Sequence, residues 1–78
     1  MAITTAYKIH IKGLVQGVGF RPFIYRLAAE NQLKGWVENR NDGVMIKIQG
    51  LYNDAEHFIA QIKEQAPRAS SIRSIELI

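Results

Sequence analysis

The residues most able to do chemistry in this 78-residue chain lie in one stretch, Gly13-Leu14-Val15-Gln16-Gly17-Val18-Gly19-Phe20-Arg21. A strand pattern precedes it and a helix pattern follows. Pro22 is suited by its fixed φ to a first helical turn, so Arg21 is expected near the N-cap. Residues 19 to 21 contain no Ser, Thr, Asp or Asn to cap the helix, leaving its first amides without an internal partner. Such amides, the positive end of the helix dipole and a glycine-bearing loop that curls its own N–H groups inward together bind anions. Arg21 adds a planar fork of donors matched to two phosphate oxygens. The stretch lacks the Gly-Lys-Ser/Thr of a nucleoside-triphosphate loop and the spacing of a dinucleotide loop. On the residues alone, a tight connection carrying a surface arginine is the favoured reading.

The positioning elements follow from periodicity. Tyr7, Ile9 and Ile11 alternate with Lys8, His10 and Lys12, a half-buried strand that Gly13 is expected to end. Phe20, Phe23, Ile24, Leu27 and Ala28 recur at helical spacing, predicting a helix to about Gln32. Gly35 to Arg40 and Val44 to Gln49 read as a hairpin, with Asn41-Asp42-Gly43 as its turn and positive φ expected there. Asn53 and Glu56 suggest a capping box opening a second helix, with an apolar stripe of Ala55, Phe58, Ile59, Ile62 and Ala66, stopped at Pro67. Ile72 to Leu77 forms the last strand. Strand, helix, strand, strand, helix, strand is an α+β, ferredoxin-like βαββαβ sandwich: an antiparallel sheet with two helices on one face and an open second face.

Composition narrows the classes. The chain has no cysteine, which removes disulfides and thiolate metal sites and fits a cytoplasmic protein. His10 and His57 lie in no ligand cluster, and each is expected to face solvent or hydrogen-bond locally. No stretch reads as a membrane span or an export signal. The formal charge of +3 is scattered, giving a slight preference for anions. The third strand, Val44-Met45-Ile46-Lys47-Ile48-Gln49, lacks the exposed aromatics of a base-stacking sheet, so nucleic acid is not an expected partner. Trp36 and Phe20 are expected in the core or a pocket wall, and Lys8, Lys12 and Lys47 on the open face.

Val15-Gln16-Gly17-Val18-Gly19-Phe20-Arg21, followed by Gly35-Trp36-Val37-Glu38-Asn39 and Asp42-Gly43, resembles the acylphosphatase signature. Gly19-Phe20-Arg21-Pro22-Phe23 with Tyr25-Arg26-Leu27-Ala28 is most similar to the N-terminal acylphosphatase-like domain of hydrogenase-maturation carbamoyltransferases. The resemblance implies hydrolysis of acyl phosphates, with carbamoyl phosphate the substrate in the larger proteins. It implies that Arg21 binds the phosphoryl group, that amides from Val15, Gln16, Gly17, Val18, Gly19 and Phe20 hold its oxygens, and that Asn39 orients the attacking water. It implies no cofactor and no metal. Read from its position alone, Asn39 is a strand-end residue satisfying the hairpin backbone. The family usually continues into a fifth strand. The expectation is therefore one domain, residues 1–78, excised from a longer chain, with other domains or proteins of hydrogenase maturation as partners. A non-catalytic phosphate-binding domain is the alternative.

Overall fold

A computed structural model describes residues 4–15, 19–68 and 70–78. The elements run β1 (Thr5–Leu14), α1 (Phe20–Glu30), β2 (Lys34–Arg40), β3 (Gly43–Gly50), α2 (Tyr52–Gln65) and β4 (Ser71–Leu77). The sheet order is β2-β3-β1-β4, and every neighbouring pair is antiparallel. This is the expected ferredoxin-like sandwich.

Register explains how one sheet face becomes the core. Ile9 lies opposite Ile46, which lies opposite Val37; Ile11 lies opposite Val44. Since alternate residues share a face, these side chains stand together beneath the helices. Ile9, Ile11, Val44, Leu27, Phe58 and Ile62 are fully buried. Each is worth roughly 1.5–3 kcal/mol of apolar transfer, offset by the ordering of the chain. Between the helices, buried Asn31 donates through Nδ2 to the Leu27 carbonyl at 2.8 Å and to Gln61 Oε1 at 2.6 Å. Its Oδ1 accepts from His57 Nδ1 at 2.7 Å. This network joins the end of α1 to α2.

Several local expectations are corrected. Gly13 does not end β1: the strand runs on to Leu14 across an irregularity between Lys12 and Gly13 in the pairing with β4. α1 stops at Glu30, and Gln32 takes a φ of 55°, a left-handed conformation that cannot continue the helix. α2 starts at Tyr52 after Leu51, with no side-chain cap. Asn53 is therefore already helical, and Glu56 accepts instead from the Tyr52 hydroxyl at 2.7 Å. In the hairpin turn neither Asn41 nor Asp42 has positive φ, which falls on Gly43 at 158°. A Cβ on Gly43 would lie 1.9 Å from the Ile11 carbonyl oxygen, so close approach to β1 fixes the glycine there. Phe20 is buried as expected, and Trp36, 51% exposed, lies outside the core as the wall of a concavity. Trp36 lies opposite Lys47, which lies opposite Lys8, and the Lys47 ammonium stands 5.1 Å above its ring. The open face thus carries both the lysines and the indole.

Candidate phosphoryl-binding site

Where the chain enters α1, Val15 is buried, which anchors the exit from β1. Gln16, Gly17 and Val18, three of the expected cradle residues, lie outside the described residues. Gly19 is the N-cap, with φ 76° and ψ 16°, and no side chain caps the helix. The first helical hydrogen bond runs from the Phe23 N–H to the Gly19 carbonyl at 3.3 Å. Phe20, Arg21 and Pro22 are then the first three helical residues, so the helix begins two residues before the position anticipated from Pro22. Proline is tolerated throughout this turn because its missing N–H would have no intrahelical partner. The Phe20 and Arg21 amides remain as donors at the positive end of the helix, and no acidic residue occupies the first turn. The Arg21 side chain is exposed. Among the described residues it takes part in none of the four ion pairs. Phe20 and Val15 are core residues, so only their backbones are available to a ligand.

Asn39 is exposed near the end of β2. Its parity with buried Val37 assigns it to the helix-covered side of the sheet. Topology relates it to Arg21. β1 and β2 are both antiparallel to β3, hence parallel to each other, and α1, which connects them, returns in the opposite sense. The Tyr25 hydroxyl accepts from the Val37 N–H at 3.2 Å, which pins one level of α1 to one level of β2. From Tyr25 back to Arg21 is four helical residues, about 6 Å of rise. From Val37 on to Asn39 is two strand residues, about 6.6 Å. The two steps run in the same direction, so Arg21 and Asn39 both lie toward the same end of the sheet.

The hairpin is tied to that end a second time. The Asp42 carbonyl accepts from the Gly13 N–H at 2.9 Å, joining the β2–β3 turn to the strand that feeds the loop. The Asp42 carboxylate accepts from His10 Nε2 at 2.9 Å, and this bond holds its carboxyl below the ordinary carboxylate range. His10 therefore serves the turn from the open face, and His57 belongs to the Asn31 network. His10, opposite Met45 and so level with Glu38, is kept from Arg21 and Asn39 by the sheet itself, and His57 is committed to Asn31. The end of the sheet thus gathers a guanidinium, helix-start amides and a side-chain amide. That set can bind a phosphoryl group and orient a neutral nucleophile, and it offers no side-chain nucleophile of its own.

Sequence analysis singled out Arg21 and Asn39 and assigned no task to Tyr25 or to the Asp42 carbonyl. An aromatic at helical spacing is ordinarily accounted for by packing, and a backbone acceptor carries no sequence signal.

Residues 7–78 match the family model for acylphosphatase. The chain is 46% identical over 70 residues to the probable carbamoyltransferase HypF of Methanocaldococcus jannaschii, an alignment covering 90% of this chain and 9% of that protein. Among solved structures it superposes on full-length HypF in the phosphate- and nucleotide-bound form with a TM-score of 0.96 and 42% identity, over 100% of this chain and 10% of the other. It superposes on the acylphosphatase from Bacillus subtilis with a TM-score of 0.87 and 36% identity, covering 97% of this chain and 83% of that one. The chain therefore spans about a tenth of the carbamoyltransferases and most of an acylphosphatase. With the family model matching residues 7–78 and the βαββαβ sandwich shared with solved acylphosphatase structures, the chain belongs to the acylphosphatase family.

Proposed function

We propose that this chain hydrolyses acyl phosphates at the end of the sheet that carries Arg21 and Asn39. The observation that carries the reading is the opening of α1: a left-handed Gly19 N-cap, no side-chain cap, no acid in the first turn and an exposed arginine at its second position. In this reading the Arg21 guanidinium holds two phosphoryl oxygens. Amides of Val15, Gln16, Gly17, Val18, Gly19 and Phe20 hold the phosphoryl group from the loop side. The Asn39 side-chain amide orients a water molecule for in-line attack on phosphorus. A bond from the water oxygen to phosphorus forms as the bond from phosphorus to the acyl oxygen breaks, and the carboxylate or carbamate leaves with the electron pair. Such leaving groups need little protonation, and an asparagine is no base near neutrality, so a phosphate oxygen takes the proton of the water. Rate enhancement comes from positioning and from stabilisation of phosphoryl charge. The reading invokes no cofactor.

Similarity to proteins named carbamoyltransferases supports carbamoyl phosphate as a substrate. It also supports a role as one domain of a longer cytoplasmic protein, working beside other domains or proteins of hydrogenase maturation. The small share of those proteins that this chain covers favours a second reading, in which the cradle binds phosphate without turnover. Hydrolysis of acetyl, benzoyl and carbamoyl phosphate, measured alongside inorganic phosphate binding, separates the two. Turnover of any of them supports the enzyme reading. Phosphate binding by a folded chain that hydrolyses none of them supports the second.

A further inference from the structure

We infer that Tyr25 is a positioning residue of this site: its hydroxyl sets the level of β2 against α1 and thereby the position of Asn39 relative to Arg21. The inference rests on the hydrolytic reading above. Arg21 and Tyr25 are four residues apart and therefore lie on the same flank of α1, beside the buried stripe of Phe20, Ile24, Leu27 and Ala28. Among the described residues β2 is an edge strand that pairs only with β3, so none of their strands holds its outer side. The hydrogen bond from the Val37 N–H to the Tyr25 hydroxyl, 3.2 Å long, is made on that outer side. Tyr25 is 47% exposed, and water could satisfy an edge amide in its absence. The bond therefore adds little stability. What a water molecule cannot supply is the fixed distance from α1, which the tyrosine ring spans. Two residues further along β2 stands Asn39, and one turn earlier on α1 stands Arg21. A water-orienting amide is sensitive to displacement on the ångström scale, whereas phosphate binding at the helix start does not involve β2.

The test is Tyr25→Phe, which keeps the ring and removes the oxygen, examined in the wild-type and Asn39→Ala backgrounds with benzoyl phosphate as substrate. The expected result is a kcat about tenfold lower, with KM and inhibition by inorganic phosphate unchanged, and no further loss when Asn39 is already alanine. Full kcat in Tyr25→Phe, or the same loss in the Asn39→Ala background, overturns the inference, because a purely structural residue acts independently of Asn39. Should the wild type bind inorganic phosphate yet hydrolyse no acyl phosphate, the hydrolytic reading fails by itself. Tyr25 is then judged by NMR: the Asn39 side-chain NH₂ signals shift in Tyr25→Phe if it sets their position, and unchanged signals overturn the inference.

Discussion

Replacing Asn31 by alanine isolates the polar network that clamps the two helices. Asn31 is 5% exposed, and its side chain uses both donors and its acceptor: Leu27 carbonyl at 2.8 Å, Gln61 Oε1 at 2.6 Å and His57 Nδ1 at 2.7 Å. The partners do not suffer equally when it is removed. The Leu27 carbonyl keeps its bond from the Asn31 backbone N–H at 3.1 Å. Gln61 is half-buried and His57 is exposed, so both regain water in part. The loss is therefore about two net side-chain hydrogen bonds plus a small void, roughly 2 kcal/mol. A chain of this size has about 4–12 kcal/mol in total, so the variant stays folded with Tm lower by about 8–16 °C. Urea denaturation followed by circular dichroism measures the change directly. Gln61→Ala should cost about 1 kcal/mol alone and clearly less in the Asn31→Ala background, since the shared bond is already gone. An Asn31→Ala variant within about 0.5 kcal/mol of wild type, or full additivity with Gln61→Ala, would refute the claim that this network joins the helices.

Other predictions separate stability from site chemistry. Gly43→Ala should cost roughly 3 kcal/mol in urea denaturation, because its Cβ would sit 1.9 Å from the Ile11 carbonyl oxygen. Gly19→Ala should cost only about 1 kcal/mol, since nothing lies within 4 Å of its Cβ and the strain is that of a left-handed φ alone; acyl phosphate hydrolysis should fall more than stability does. For Asp42 the folded carboxyl lies below its ordinary value of 3.8 through the His10 hydrogen bond. Its contribution to stability is present above that value and is lost as pH falls through the lower folded value. The urea midpoint of wild type should therefore fall more steeply than that of Asp42→Asn below about pH 4, and identical acid limbs would count against the pair.

Much of this was legible because the relevant signals are local. Period-two and helical spacing identify all six elements, and the glycine-bearing loop before Phe20 points to Arg21 through the absence of any capping side chain. The errors have physical reasons. Pro22 marks a first turn but not a first residue, since any of the opening positions accepts it. Asn53 and Glu56 have capping-box spacing, yet the chain turns helical earlier and Glu56 bonds Tyr52 instead. Of the two places expected for Trp36, strand parity excludes the core and turns the indole toward the lysines of the open face, where it forms a pocket wall. Contacts between elements distant in sequence were invisible: Tyr25 to Val37, Gly13 to Asp42, and Asn31 to Gln61 and His57.

The central claim is that Arg21 and the start of α1 hold a phosphoryl group for attack by water at phosphorus. The most direct measurement is hydrolysis of benzoyl phosphate in ¹⁸O-labelled water by wild type and Arg21→Ala, with urea denaturation run on both. The account predicts label in phosphate and none in benzoate. It predicts a loss of about 3 kcal/mol in transition-state stabilisation, on the order of a hundredfold in rate, for Arg21→Ala. Because Arg21 is exposed, the stability of that variant should stay within about 0.5 kcal/mol of wild type. Label in benzoate, or undiminished turnover by folded Arg21→Ala, would contradict it.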